Sequence, residues 1–230
     1  MWCRSSKRKR GSMAKRFELI VFDWDGTLMD SAAAIVRAIQ ASAADLGLPV
    51  PSDARARHVI GLGLNDALHY AVPELAESDY PQMVERYRHH YLSGDHQLTL
   101  FEGTVELVAA LRERGHLLAV ATGKSRKGLE RALSFSGLGE YFHATRCADE
   151  CFSKPHPAML EELMDELGVV QASCLMIGDT THDLQMAKNA GVEGVAVSFG
   201  AHPVEQLQAE APLACVHSPA ELREWLERNA

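Results

Sequence analysis

Asp23 and Asp25 stand one residue apart at the tip of an apolar run, Ile20-Val21-Phe22, within IVFDWDGTLMD. Polar exits follow other apolar runs in the same manner: Thr122-Gly123-Lys124 after LLAVA, and Gly178-Asp179-Thr180-Thr181-His182-Asp183 after CLMI, with Lys154 in the loop sequence SKPHP. Taken singly, each has a plain structural reading, with Asp179 or Asp183 as a helix N-cap, Thr122 as a turn hydroxyl and Lys154 as a surface charge. Taken together they imply a cation, because several carboxylates are costly to bury side by side unless positive charge compensates them. All-oxygen donors suit a hard ion, Mg²⁺ before others, which is commonly held by few carboxylates plus a substrate phosphate. Thr122 with neighbouring backbone N–H groups, and Lys154 as a point charge, would then hold the remaining phosphoryl oxygens.

Such residues act together only if the fold brings them to one place, and the carboxyl ends of strands in an open parallel sheet do that. Short continuous apolar runs at 17–22, 117–121, 174–177 and 194–197 read as strands buried on both faces. Amphipathic stretches at about 103–114, 125–136, 156–168, 181–190 and 218–228 read as helices, several closed by Gly115, Gly137, Gly168 and Gly191. The alternation predicts an α/β fold, a Rossmann-like doubly wound parallel sheet. Residues 31–98 break it with helical patterns only, so an inserted all-helical cap is expected over the end of the first strand, with 14–30 and 99–230 forming the core. In the first strand, Trp24 reads as packing, Gly26 and Thr27 as the turn that follows, and Asp30 as the N-cap of the next helix.

The 230 residues, 47% of them hydrophobic, suffice for a core domain with an insert. Seven of the 23 basic residues fall within residues 1–16, which hold no acid, so the rest of the chain is clearly acidic. That balance speaks against nucleic-acid binding, which needs positive charge to meet phosphates. Residues 1–13, with Gly11-Ser12-Met13, read as a tag or upstream extension rather than a basic arm. Neither a signal sequence nor about 18 consecutive apolar residues occurs, so no membrane role is expected and a cytoplasmic location is. Five scattered cysteines (3, 147, 151, 174 and 215) fit a reducing compartment, and Cys147, Cys151, His143 and His156 lack the paired spacing of a zinc site.

DWDGTL, the Thr-Gly after the second strand, the Lys-Pro and GDTTHD, in that order, resemble the haloacid dehalogenase superfamily of phosphohydrolases across nearly all of residues 17–228. The place of the insert is similar to that in the subfamily with a helical cap between the first two motifs. The resemblance implies Asp23 as a nucleophile forming an aspartyl phosphate, with Asp25 as acid toward the leaving alcohol and then base toward water. It also implies Mg²⁺ held by Asp23, the main-chain carbonyl of Asp25 and Asp179, with Asp183 as a further or water-mediated contact. Thr122 and Lys154 would orient the phosphoryl group.

Asp25 favours phosphate esters over halides, since halide release needs no acid. A phosphonate hydrolase needs a cap lysine, and residues 31–98 hold none. A phosphomutase of the β-phosphoglucomutase type shares the same residues and stays open as an alternative, as does a pyrophosphatase. Arg57-x-x-x-Gly61-x-Gly63 resembles the cap of phosphoglycolate phosphatase-like proteins, with Val59 where an aromatic residue is common. Thr122, Gly123, Lys154 and Arg57 are therefore the candidate substrate-binding set, Arg57 through a substrate carboxylate or else as a structural salt bridge. His58 and His69 are weaker candidates, and His89 and His90 read as a solvent-facing pair. The expected partner is a small phosphorylated metabolite, and the oligomeric state is left open.

Overall fold

A computed structural model describes residues 16–94 and 98–230, so the reading of residues 1–13 lies outside the described residues. Six strands form one parallel sheet in the order β3-β2-β1-β4-β5-β6. These are β1 (Leu19–Phe22), β2 (Leu117–Thr122), β3 (Ala144–Cys147), β4 (Cys174–Gly178), β5 (Glu193–Val197) and β6 (Ala214–Val216). β1 is central and wholly buried. Its side chains alternate: Ile20 and Phe22 join one apolar cluster with Leu118, Val120 and Ile177, while Leu19 and Val21 join another with Ala119, Ala121 and Met176. Helices cover both faces, α5 (Thr104–Glu113) and α10 (Pro219–Asn229) on the first, α7 (Ala158–Leu167) and α8 (Thr181–Asn189) on the second. The expected doubly wound sheet is therefore observed. β3 and β6 extend it beyond the four anticipated strands.

Between β1 and β2 the chain forms α1 (Ala32–Asp45), α2 (Asp53–His58), α3 (Leu64–Ala71) and α4 (Tyr80–Ser93). α1 and α4 pack along each other around a separate apolar cluster that includes Ile35, Ile39, Leu68, Val72 and Met83. α6 (Arg126–Ser136) follows β2, and α9 (Val204–Ala209) follows β5. Among the described residues no helix is long and apolar enough to cross a membrane.

Strand register is what positions the site. Phe22 is level with Val120 on β2 and Ile177 on β4. The Asp23 N–H donates to the Ile177 carbonyl at 2.9 Å, so Asp23 leaves the sheet beside Gly178-Asp179. From β1 the chain winds to one side through β2 and β3, then returns to the other through β4. β1 and β4 thus flank the crevice where the winding reverses, the usual ligand position in such sheets.

Candidate active site

Asp23, Asp179 and Asp183 converge in this crevice, each with 0% exposure, and one carboxylate oxygen from each lies within 4.8 Å of the others. Lys154 is the cation among them: its Nζ donates to Asp23 Oδ1 at 2.7 Å and to Asp183 Oδ1 at 2.6 Å. One ammonium cannot balance three buried carboxylates. Burial pushes the Asp23 carboxyl up to about 7 despite Lys154. Asp179 is raised by burial first and then by repulsion from Asp23 and Asp183. Lys154 is held above its usual value, because the attraction of Asp183 and Asp23 outweighs its own burial. Asp23 Oδ2 has no hydrogen-bond partner. An orphaned buried carboxylate oxygen within an all-oxygen, net-negative donor set fits a hard divalent cation.

The backbone makes room for these acids. A Cβ on Gly26 (φ +84°) would lie 2.1 Å from Asp179 Oδ2, one on Gly200 2.2 Å from the same atom, and one on Gly178 2.3 Å from Asp183 Cγ. Asp179 is clamped by Thr27 Oγ1 donating to Oδ1 at 2.9 Å and the Ala201 N–H donating to Oδ2 at 2.7 Å. Thr27 therefore holds the Asp179 carboxylate, where it was expected to lock the turn. Thr180 caps α8: its Oγ1 accepts from the Asp183 N–H, and Asp183 Oδ2 accepts from the Thr180 N–H, which leaves Oδ1 for Lys154. Asp183 thus both caps the helix and faces the site.

Asp25 is 7% exposed, and its Oδ1 accepts from Ser31 Oγ at 2.6 Å and forms an ion pair with Lys124 Nζ at 3.1 Å. The N-cap position of α1 belongs to Ser31, so the expectation for Asp30 is corrected: its N–H donates to the Thr99 carbonyl and its side chain is exposed. Trp24 is fully buried in the core cluster, as anticipated. Thr122 is fully buried, and its Oγ1 accepts from the Lys124 N–H at 3.2 Å.

Residues 61–63 of the helical insert close over this end of the sheet. A Cβ on Gly123 would come within 2.4 Å of the Leu62 carbonyl oxygen and 2.6 Å of that of Gly61, and the Gly63 N–H donates to Ser153 Oγ at 2.8 Å. Arg57 is half-buried, and its side chain forms no ion pair or hydrogen bond among the described residues. His58 acts through its main chain. Its carbonyl, at the end of α2, accepts from His182 Nε2 at 2.7 Å and His202 Nε2 at 3.1 Å.

The three imidazoles lie close enough to share a metal, but Nε2 of His182 and both ring nitrogens of His202 are committed to hydrogen bonds. The Thr181 N–H donates to His202 Nδ1 at 3.1 Å, which fixes the proton on Nε2, where it meets the His58 carbonyl. Burial pushes His202 down to about 4 and lowers His182, so both rings are neutral and the trio is a hydrogen-bonded latch. His202→Ala is expected to cost on the order of 1–3 kcal/mol, since it strands buried groups. Urea titration of the purified variant checks this, and an unchanged midpoint would refute the latch.

Elsewhere, Cys147 is packed in the core, burial pushes its thiol up to about 12, and among the described residues no metal-ligand group includes it. His89 is exposed, in line with a solvent-facing position, and His90 beside it meets Asp45 at 2.7 Å in a surface contact, while His69 meets the exposed Glu77.

A parallel sheet whose switch point gathers buried carboxylates about one lysine, under a helical insert, defines a hydrolase architecture suited to anionic esters. Residues 20–197 match the family model of haloacid dehalogenase-like hydrolases, and the chain belongs to that family. "Probable phosphatase IndB" of Dickeya dadantii is 36% identical over 210 residues, 89% of this chain and 91% of that one. A 5'-nucleotidase of Pseudomonas aeruginosa is 32% identical over 218 residues, 94% and 98% of the two chains. Phosphoglycolate phosphatases of further bacteria are 30% and 32% identical. The crystal structure of a hydrolase from Pseudomonas syringae shares the fold, with a TM-score of 0.84 at 23% identity over 92% of this chain and 98% of that one. The protein is a phosphatase of this family.

Sequence reading missed Ser31, Tyr91, His202 and Gly200, each of which reaches the site from a segment without a motif, and Ser153, which stands in the quoted SKPHP loop. His182 and Lys124 sat inside quoted motifs, yet nothing in their spacing showed their partners.

Proposed function

We propose that the protein hydrolyses phosphate monoesters of a small metabolite with Mg²⁺, through an aspartyl phosphate on Asp23, and that phosphoglycolate is the preferred ester. The observation that carries this is the orphaned Asp23 Oδ2 among three buried carboxylates, two of which share the Lys154 ammonium. When bound by Asp23, the Asp25 main-chain carbonyl and Asp179, with Asp183 beside them, Mg²⁺ would offset the repulsion between carboxylate and phosphate. Asp23 attacks phosphorus. Lys154, already donating to Asp23 Oδ1, keeps that carboxylate aimed and offers charge to the phosphoryl oxygens, to which the Thr122 hydroxyl donates. Asp25 gives its proton to the departing alkoxide, then takes one from the water that cleaves the acyl phosphate.

The full burial of Asp23, Thr122 and Asp179 means that residues 61–63 must move for substrate to enter, so the helical insert serves as a cap. The Arg57 side chain, without an ion-pair partner among the described residues, is suited to a substrate carboxylate. Among the described residues four cysteines are free, which supports a reducing, cytoplasmic setting.

The test is phosphate release from a panel of phosphoglycolate, nucleoside monophosphates, sugar phosphates and pyrophosphate, with and without Mg²⁺. Selective turnover of phosphoglycolate supports the reading. Nucleotide preference would match the Pseudomonas aeruginosa relative, and isomerisation of a sugar phosphate without phosphate release would establish a mutase. Arg57→Ala is expected to raise KM for phosphoglycolate roughly tenfold with little change in kcat, while p-nitrophenyl phosphate is unaffected. Equal losses on both would remove Arg57 from substrate recognition.

A further inference from the structure

Lys124 is a buried charge that the proposed chemistry leaves unused. It follows Thr122-Gly123 at the end of β2, and its side chain is only 12% exposed. Burying an ammonium is costly, so its partners must compensate. They are few and well defined: Nζ lies 3.1 Å from Asp25 Oδ1, donates to the Tyr91 hydroxyl at 3.0 Å and sits 4.8 Å from the centre of the Tyr91 ring. Tyr91 belongs to α4 of the helical insert and stacks on Tyr87 at 5.9 Å. Lys124 therefore touches both the core acid and the insert.

The contacts also distinguish the two oxygens of Asp25. Oδ1 accepts from Ser31 Oγ and forms the ion pair with Lys124 Nζ, which together fix the carboxyl's orientation. Proton transfer is left to Oδ2. A carboxyl that must serve as acid and then as base gains from such fixing, because a small misplacement of a proton donor lowers the rate sharply.

We propose that Lys124 is a positioning residue for Asp25, and that Tyr91 ties that position to the placement of the helical insert. The inference rests on Asp25 being the acid and base of the proposed mechanism. It differs from a simple structural ion pair in one respect: it makes the effect of losing Lys124 depend on the leaving group. An alkyl phosphate needs a proton on its departing oxygen, whereas p-nitrophenolate leaves without one, and kcat/KM reports the steps up to that departure.

The experiment compares kcat/KM for p-nitrophenyl phosphate and for the best alkyl phosphate of the panel. The proteins are the wild type, Asp25→Asn, Lys124→Met, Lys124→Arg and Tyr91→Phe, each checked for folding by circular dichroism. Asp25→Asn should lose alkyl phosphate turnover roughly a hundredfold or more while keeping most aryl turnover. Lys124→Met should follow that pattern, Lys124→Arg should restore part of the alkyl activity, and Tyr91→Phe should show a smaller loss of the same kind.

If Asp25→Asn affects both substrates equally, the assignment of Asp25 as acid fails. If Asp25→Asn discriminates but Lys124→Met lowers both substrates alike, Lys124 binds phosphate instead and the proposal is overturned. An unchanged Lys124→Met overturns it as well. Should Lys124→Met not fold, Lys124→Gln and Tyr91→Phe carry the same comparison, and the absence of leaving-group dependence in both refutes the proposal.

Discussion

Asp23→Asn is expected to abolish turnover, with phosphate release falling by about 10⁴-fold or more, while the folded protein becomes no less stable in Mg²⁺-free buffer above pH 7. The loss of activity follows from removing a carboxylate that combines the tip of β1, a lysine partner at 2.7 Å and an unpartnered oxygen. An amide is a poor nucleophile toward phosphorus. The stability side follows from the same burial: the Asp23 carboxyl is pushed up to about 7 because ionising it there is unfavourable. Above that pH the carboxylate burdens the fold, and asparagine removes the charge while keeping the shape. Steady-state kinetics with thermal melts checks both halves. Residual turnover within tenfold of wild type, or a clear drop in Tm, would count against this account of Asp23.

The second large effect concerns metal and pH together. Asp23 and Asp179 both have carboxyls raised above their unfolded-state values, so each contributes stability that is fully present below about pH 4. For Asp23 that contribution is lost as the pH rises through about 7. The metal-free protein should therefore lose stability across that window from these groups. A divalent cation binds the ionised carboxylates and reverses the loss, so Mg²⁺ should raise Tm more at pH 8 than at pH 5.5 and should release protons on binding near neutrality. Melts with chelator or excess Mg²⁺ at the two pH values, and calorimetry in buffers of different ionisation enthalpy, measure this. A Tm increment independent of pH would mean that the cation does not sit on these carboxylates.

Much of the fold was legible because buried parallel strands carry few polar residues: Leu-Ile-Val-Phe in β1 has one structural reading once a helical pattern follows it. β3 and β6 escaped notice for the opposite reason. Ala-Thr-Arg-Cys is short and amphiphilic, and its Arg146 turns outward to Glu162 and Glu166. Ala-Cys-Val is three residues at the sheet edge, where little burial marks the sequence.

The acids of the site were legible since each follows a strand directly. What could not be read was pairing across the chain. Thr27 reaches Asp179 over 152 positions, His202 meets a carbonyl 144 positions away, and Tyr91 joins Lys124 only through the packing of the insert. Asp30 looked like a helix cap by type and place, but the Ser31 position begins α1 and sends its hydroxyl to Asp25. Local propensity gave way there to a tertiary partner.

Gly123 has a broader consequence. The carbonyls of Gly61 and Leu62 rest where its side chain would be, so the lid is seated on a hydrogen atom. Even a methyl at that position is a doorstop. The gap it would hold open would admit both bulkier esters and bulk water, and the acyl phosphate of the proposed mechanism would be exposed to both. On that proposal, selectivity by size and protection of the intermediate would be governed by a single missing carbon, and neither could be relaxed here without relaxing the other.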